Sequence, residues 1–149
     1  MFRGIHNINI DAKGRLAIPT RFREQFAGHC DGDLVVTADY QNKCLLIYPL
    51  PDWEAKQNEI DSLPNDNQDA RRAQRMLVGH ATDIRMDGNG RILLTPPLRE
   101  YASLKKKGVL IGQGKKLELW DDGEWHTYRE AGTETPNATP PQELLNLSL

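Results

Sequence analysis

Two short stretches of the chain carry an aspartate, a glycine and an arginine at the same spacing. Asp11-Ala12-Lys13-Gly14-Arg15 recurs 76 positions later as Asp87-Gly88-Asn89-Gly90-Arg91, with apolar residues matched on either side. An aspartate that begins a tight turn can accept a hydrogen bond from the backbone two residues on, and a glycine adopts the left-handed conformation that other residues resist. Such a turn is stiff, so the chemistry it offers is a cation held in a fixed direction near its tip.

A simpler interpretation of the motif gives the arginine no ligand. In that interpretation Arg15 and Arg91 only pair with the aspartates of their own turns, and each stretch is an ordinary hairpin. We would favour it for a single copy. Because the motif occurs twice in one register, we favour a binding function for both arginines.

Alternating apolar and polar residues around the first motif predict the strands that position it. Ile8 and Ile10 precede the turn, and Leu16 and Ile18 follow it, with one polar or small residue inside each pair. This period of two is typical of half-buried strands. The same pattern surrounds the second motif, so we expect two β-hairpins with the motif at their tips.

A short helix is predicted after each hairpin. Pro19 favours the start of the first helix and Gly28 its end, since proline fits a first helical turn and glycine commonly follows the last. Pro96 should begin the second helix, and the lysines 105–107 would close it, because positive charge suits a helix C-terminus. We slightly favour this interpretation of the lysines over a phosphate-binding patch. Two more strands are predicted after each helix, at 34–37, 44–48, 109–112 and 117–120.

The repeats predict a mainly β protein with short helices, of the α+β class, built from two tandem β-β-α-β-β halves. A connecting helix and a second helix, from Asp66 to Val78, should separate the halves. Arginines of the second helix could bind phosphate, but we expect them to pair with Asp66 and Asp69 on a solvated face. These arginines are Arg71, Arg72 and Arg75. We divide the chain into a first half with its connecting helix, a central helix, a second half and a Pro- and Thr-rich tail expected to be disordered, at 1–64, 65–80, 81–131 and 132–149.

The net charge of the chain is unusual for a protein that binds nucleic acid. The 149 residues have a formal net charge of −2 and a sequence pI of about 6.1, whereas nucleic-acid-binding domains are commonly basic. Any nucleic-acid site must therefore depend on local clusters of lysine and arginine. No apolar run approaches the roughly 20 residues that cross a bilayer, and no signal peptide is visible. We therefore expect a cytoplasmic protein that does not enter a membrane.

Residues that could form a catalytic or metal site are scattered. Cys30 and Cys44 lack zinc-site spacing, the four histidines follow no ligand pattern, and no glycine-rich phosphate loop occurs. Asp11 and Asp87 could form a pair of catalytic acids, but the arginine that follows each one would keep it ionised. We therefore expect no enzyme activity, no metal, no cofactor and no small-molecule substrate.

Three parts of the chain together resemble the MraZ family of bacterial transcriptional regulators, which are associated with the division and cell-wall gene cluster and contain two AbrB-like units. They are Met1-Phe2-Arg3-Gly4, Asp11-x-Lys13-Gly14-Arg15-x-x-Ile18-Pro19 and Asp87-x-x-x-Arg91. The resemblance extends to about Trp125. Asn89 stands in the second copy where the first has Lys13, so the two hairpins differ in charge.

The resemblance implies a swapped-hairpin AbrB-like β-barrel made from the two halves, and a ring-shaped homo-oligomer. It also implies binding of double-stranded DNA at G-containing direct repeats in the promoter of the protein's own gene cluster, usually as a repressor. The protein would then be nucleoid-associated. A ring is compatible with the weak charge of one chain, because several weak modules on spaced repeats gain affinity through effective concentration.

The resemblance and the chemistry of the hairpins together give the candidate site. An arginine on a stiff turn could donate two hydrogen bonds to a guanine base, and neighbouring cations could contact phosphates. We assign the turn geometry and the orientation of the arginines to Asp11, Asp87 and Gly90. The candidate DNA-binding residues are Arg3, Lys13, Gly14, Arg15, Arg23, Asn89, Arg91 and Arg99.

Two other classes of partner stay open at this point. The acidic pI of about 6.1 is compatible with an oligomeric scaffold whose hairpins contact a protein and no nucleic acid. Binding of structured RNA is a third hypothesis. DNA binding should weaken steeply with added salt as counterions are released, whereas a largely apolar protein contact should not.

Overall fold

The strands and helices follow the expected order in each half. A computed structural model describes residues 1–134 and 139–149. The first half and the connecting region contain β1 (Phe2–Asn9), β2 (Arg15–Ala17), α1 (Thr20–Cys30), β3 (Asp33–Ala38), β4 (Leu45–Pro49), α2 (Leu50–Asp61) and α3 (Gln68–Gly79). The second half and the tail contain β5 (Thr82–Arg85), β6 (Arg91–Leu93), α4 (Pro96–Tyr101), β7 (Lys107–Gly114), β8 (Lys116–Asp121), α5 (Asp122–Glu134) and α6 (Gln142–Leu145).

The two halves exchange strands within one large antiparallel sheet. Its strand order is β1-β7-β8-β4-β3-β5, so β1 of the first half pairs with β7 of the second. In the same way β5 of the second half pairs with β3 of the first. The last strand of each half, β4 and β8, meet at the centre. Each half therefore depends on the other to complete its backbone hydrogen bonds.

The strands that leave the two motifs form a separate small sheet. β2 and β6 run antiparallel, and Leu16 pairs with Ile92, its counterpart in the repeat. Within the described residues no ladder joins β1 to β5, the two edges of the large sheet, so that sheet is not closed in a barrel. The α+β class is confirmed. The closed barrel is not formed, because β2 and β6 have only three residues each and make a ladder only with one another.

The main hydrophobic core lies between the two sheets and the helices α1 and α4. Phe22 and Phe26, four residues apart on α1, are completely buried, and Leu98 of α4 belongs to the same cluster. Leu16 and Ile92 join it from the two hairpins. Full burial of one large apolar side chain contributes about 1.5–3 kcal/mol. The strands that carry the motifs are therefore anchored directly in the core.

The opposite face of the large sheet is covered by α2 and α3. Val35 and Tyr48 point to this face, where they pack with Trp53 of α2 and Leu77 of α3. Their neighbours along each strand point into the main core, as the two-residue period of a strand requires. Asn67 begins α3 by accepting hydrogen bonds from the next helical amides, at 2.8 and 3.2 Å. The connecting region is thus a folded layer and not a linker.

Two helix ends differ from the sequence prediction. α1 does not end at Gly28 but continues to Cys30, whose side chain packs against the core, and Asp31 ends the helix in the left-handed conformation with φ of 54°. α4 ends at Tyr101 because Ser103 turns the chain with φ of 53°. The lysine run 105–107 therefore does not close this helix: it lies beyond the turn, and Lys107 begins β7.

Helices occur within the C-terminal region that was expected to be a disordered tail. α5 extends to Glu134, and the short α6 lies in the tail with its side chains exposed. The tail predicted at 132–149 includes residues 135–138, which lie outside the described residues. None of the helices within 1–134 and 139–149 is long and apolar enough to cross a membrane.

Candidate nucleic-acid interface

Asp11 organises the first hairpin through both of its carboxylate oxygens. Oδ1 accepts hydrogen bonds from the backbone amides of Lys13 and Arg15, at 2.9 and 2.8 Å. Oδ2 accepts from Nε of Arg15 at 2.9 Å. Gly14 adopts φ of +89° and donates its amide to the carbonyl of Asp11 at 3.0 Å, which closes the turn. One carboxylate therefore fixes the backbone and the direction of the arginine together.

The second hairpin repeats this geometry atom for atom. Oδ1 of Asp87 accepts from the amides of Asn89 and Arg91, at 2.8 and 2.9 Å, and Oδ2 accepts from Nε of Arg91 at 3.2 Å. Gly90 adopts φ of +74°. The same hydrogen bonds form in two stretches that are far apart in sequence. The turn geometry is therefore attributed to the aspartate and glycine that both stretches share.

Both motif arginines keep part of the guanidinium available to a ligand. The side chains of Arg15 and Arg91 are 38% and 40% exposed. Each uses only Nε for its aspartate, and the terminal nitrogens have no hydrogen-bond partner among the described residues. Lys13 and Asn89, at the tips, are exposed as well. The arginines therefore pair with their aspartates, as the simpler interpretation requires, and still present donors to solvent.

Hydrogen bonds lower the pKa of both motif aspartates. For Asp11 the largest cause is the backbone N–H of Arg15, with the Arg15 side chain and the Lys13 backbone N–H acting in the same direction. For Asp87 the backbone N–H of Arg91 is again the largest cause of the lowered pKa. Both carboxylates are therefore ionised at neutral pH, where they stabilise the turns and are not available as general acids.

We expect the pKa of Asp11 in the folded protein to lie below the ordinary value of 3.8. Because the folded pKa is the lower one, the stabilisation from this carboxylate is complete above the unfolded pKa and is lost as the pH falls through the folded pKa. NMR titration of the Lys13 and Arg15 amides would measure the pKa of Asp11, since both amides donate to its carboxylate. The same amides in an Asp11→Asn variant serve as the control. A midpoint at or above 3.8 in the native protein would contradict the expectation.

Each helix arginine covers the glycine of the opposite hairpin. A Cβ atom built on Gly90 would lie 1.9 Å from Nε of Arg23, and one built on Gly14 would lie 2.7 Å from Nε of Arg99. Both Nε atoms are buried without a hydrogen-bond partner in the described structure. Nη2 of Arg23 donates to the carbonyl of Ile18 at 3.0 Å. A helix of each half therefore packs against the hairpin of the other half. The sequence did not reveal these contacts.

Arg3 lies away from the hairpins. It pairs with Gln113 near the turn that joins β7 and β8 and is exposed there. Eight residues of mostly extended chain separate it from Asp11, which corresponds to roughly 25 Å. The structure therefore brings together the motif residues with Arg23 and Arg99, but it does not bring Arg3 to the same place.

Two lysines that were not assigned to the site lie beside the first hairpin. The carbonyl of Lys106 accepts the amide of Ile10 at 2.8 Å, which ties the lysine run to the strand that leads into the turn. A surface depression here is lined by Asp11, Arg99, Lys105 and Lys106. The run of three lysines was visible in the sequence, but a helix end was favoured there over a phosphate-binding patch, and its position beside the first hairpin was not predicted.

The second hairpin has a different neighbourhood. The corresponding depression is lined by Arg23, Asp31, Arg85 and Asp87. Arg85 donates to Asp33 at 2.6 Å and to Asp31 at 3.5 Å. Carboxylates therefore neutralise Arg85, one of the cations beside this hairpin.

Other cationic and titratable groups do not extend the site. The expected ion pairs of Asp66 and Asp69 with the α3 arginines are not formed among the described residues, although the arginines line a shallow depression of their own. Cys44 is buried, and burial raises the pKa of its thiol. Within 1–134 and 139–149, no group of three or more His, Cys, Asp or Glu is placed to hold a metal ion.

Comparison with known proteins gives the family. The family model described as "MraZ protein, putative antitoxin-like" matches residues 1–76 and again 77–147, once for each half. A transcriptional regulator MraZ from Halorhodospira halophila is 48% identical over 152 residues, which cover both chains completely. One from Thioalkalivibrio sulfidiphilus is 50% identical over 151 residues, again with complete coverage. One from a Marinomonas species is 54% identical over 130 residues, which are 87% of this chain and 86% of that one. The motifs, the folded halves and these relatives agree, and the chain belongs to the MraZ family.

Proposed function

We propose that the chain is a DNA-binding transcription regulator that contacts duplex DNA through its two hairpins. The observation that carries the proposal is the pair of guanidinium groups, on Arg15 and Arg91, held by carboxylates while their terminal nitrogens stay unpaired within the described structure. The relatives named as transcriptional regulators support the same function and give no support to an enzyme.

The geometry of the hairpins suits the major groove of B-form DNA. That groove is about 12 Å wide and admits a two-stranded β-ribbon, and guanine presents two acceptors there, N7 and O6. A guanidinium whose Nε is already fixed can direct its terminal nitrogens at those acceptors with little loss of side-chain freedom. Lys13 at the tip would contact a phosphate, which positions the hairpin without reading sequence.

The finer parts of the proposal concern assembly and target. A ring-shaped homo-oligomer would bind G-containing direct repeats in the promoter of its own division and cell-wall gene cluster, as a repressor, in the cytoplasm at the nucleoid. The formal net charge of −2 supports an assembly, since one chain offers few phosphate contacts while linked copies on spaced repeats gain affinity. The division of the chain at 1–64, 65–80, 81–131 and 132–149 remains part of the same proposal.

A salt titration tests the proposal against its alternatives. The full chain is mixed with a labelled duplex from the region upstream of its own gene, and with a shuffled duplex, at increasing salt. We expect tighter binding of the upstream duplex and a linear fall of log K with log salt. Structured RNA should compete poorly. Absent DNA binding, or DNA binding whose affinity does not change with salt, would favour the protein scaffold. Preferential competition by RNA would favour an RNA-binding protein. The mass of the complex in native mass spectrometry would report the oligomer.

A further inference from the structure

We infer that the two hairpins are unequal, and that phosphate binding is concentrated at the first, on a basic surface made by Arg99, Lys105 and Lys106. This inference rests on the proposed function. The ligand is the phosphodiester backbone of duplex DNA that flanks the base contacted by Arg15. The second hairpin, in contrast, contributes little to backbone binding because its surroundings carry as many carboxylates as cations.

Contacts with the first hairpin fix the position of the basic surface. Lys106 is tied by its carbonyl to the amide of Ile10, directly before the turn, and the guanidinium of Arg99 lies over Gly14. Lys105 and Lys106 are both exposed, and neither has an ion-pair partner in the described part of the chain. The three cations are therefore held beside the hairpin, and the charges of the two lysines are available to a ligand.

The charge balance differs between the two hairpins. Among the described residues that line the first hairpin and its depression, one carboxylate, that of Asp11, is present with five cations, which are Lys13, Arg15, Arg99, Lys105 and Lys106. At the second hairpin three carboxylates and three cations lie together, which are Asp31, Asp33, Asp87, Arg23, Arg85 and Arg91. Charges within about 8 Å of one another act together at physiological salt, so a phosphate would be attracted to the first group and hardly at all to the second.

The donors at the second hairpin are also occupied. Both terminal nitrogens of Arg85 donate to aspartates, at 2.6 and 3.5 Å, so this arginine would have to break its ion pairs before it could bind a phosphate. Asn89 replaces the tip lysine and carries no charge. The second hairpin therefore retains a base-reading arginine but lacks the excess of cations over carboxylates that would fix a hairpin on the DNA backbone.

The test compares variants that remove the same charge at different places. A Lys105→Ala/Lys106→Ala double variant should lower the slope of log K against log salt by about two, because each lysine that contacts a phosphate contributes about one. The loss should be similar on the upstream and the shuffled duplex, since backbone contacts do not read sequence. A Lys56→Ala/Lys115→Ala variant is the matched control. Lys56 lies on α2 and Lys115 in the β7–β8 turn, both away from the hairpins. Both lysines lower the pKa of Glu59.

The Arg85→Ala variant tests the inequality of the hairpins. Its slope should equal that of the native protein, since Arg85 is engaged by aspartates. A slope that falls by about one for Arg85→Ala, or that is unchanged for the double lysine variant, would overturn the inference. If the native protein does not bind duplex DNA at all, the proposed function fails first. If it binds and Arg15→Ala removes the preference for the upstream duplex, the proposed function stands and the lysine result concerns this inference alone.

Discussion

Replacement of Arg15 by alanine is expected to remove most of the preference for the upstream duplex. The substitution deletes the terminal nitrogens, which are not used in the hydrogen bond to Asp11, and with them a base contact of about 1–3 kcal/mol. This corresponds to a roughly 5- to 150-fold loss of affinity for each contacting subunit, and an oligomer on several repeats would multiply it. Fluorescence anisotropy with the upstream and shuffled duplexes measures the loss.

Two controls separate base reading from charge and from folding. Arg129→Ala removes the same charge from α5, where the arginine lies 3.5 Å from Glu130, and should bind like the native protein. Arg15→Lys keeps a point charge but not the planar fork, so it should retain the salt slope while the preference for the upstream duplex falls. If Arg15→Ala keeps full preference, with its oligomer intact in native mass spectrometry, the hairpin does not read DNA.

The hairpins were predictable because their geometry is local. An aspartate, a glycine and an arginine within five residues determine the turn, and the structure confirms this at both Asp11 and Asp87. The helix ends were less predictable, because they depend on packing beyond the helix. Gly28 was expected to end α1, but Cys30 packs against the core and the helix continues for two more residues.

The contacts between halves could not be derived from sequence periodicity. A two-residue period identifies a strand but not its partner. The exchange of hairpins between the halves was therefore expected from the family resemblance alone, and the structure gives the specific pairing of β1 with β7. The contact of Arg23 with Gly90 had no sequence signal, since the two residues lie in different repeats. For the same reason the lysines beside the first hairpin were assigned to a helix end, whereas the structure places them next to the turn.

The contact of Arg23 with Gly90 leads to the second large effect, which is on stability. Gly90→Ala should destabilise the protein, because alanine in the left-handed conformation of Gly90 costs about 1–2 kcal/mol. Its Cβ would also lie 1.9 Å from Nε of Arg23, so the arginine must move and lose its hydrogen bond to Ile18, which adds about 1 kcal/mol. Urea denaturation measures the loss. Gly28→Ala is the control: nothing lies within 4 Å of that Cβ, so this helical position should gain about 0.4–1 kcal/mol.

A double-mutant cycle distinguishes backbone strain from the clash. Arg23→Ala opens the space that the Cβ of residue 90 needs, so the Gly90→Ala/Arg23→Ala protein should be more stable than the sum of the two single losses predicts. The cost of the left-handed alanine should remain in the double variant, because the hydrogen bonds of Asp87 that form the turn do not involve Arg23. Losses that simply add would mean that Arg23 does not constrain the second hairpin. A coupling of about 1 kcal/mol would show that Arg23 on a helix of one half interacts energetically with the turn that presents Arg91 in the other.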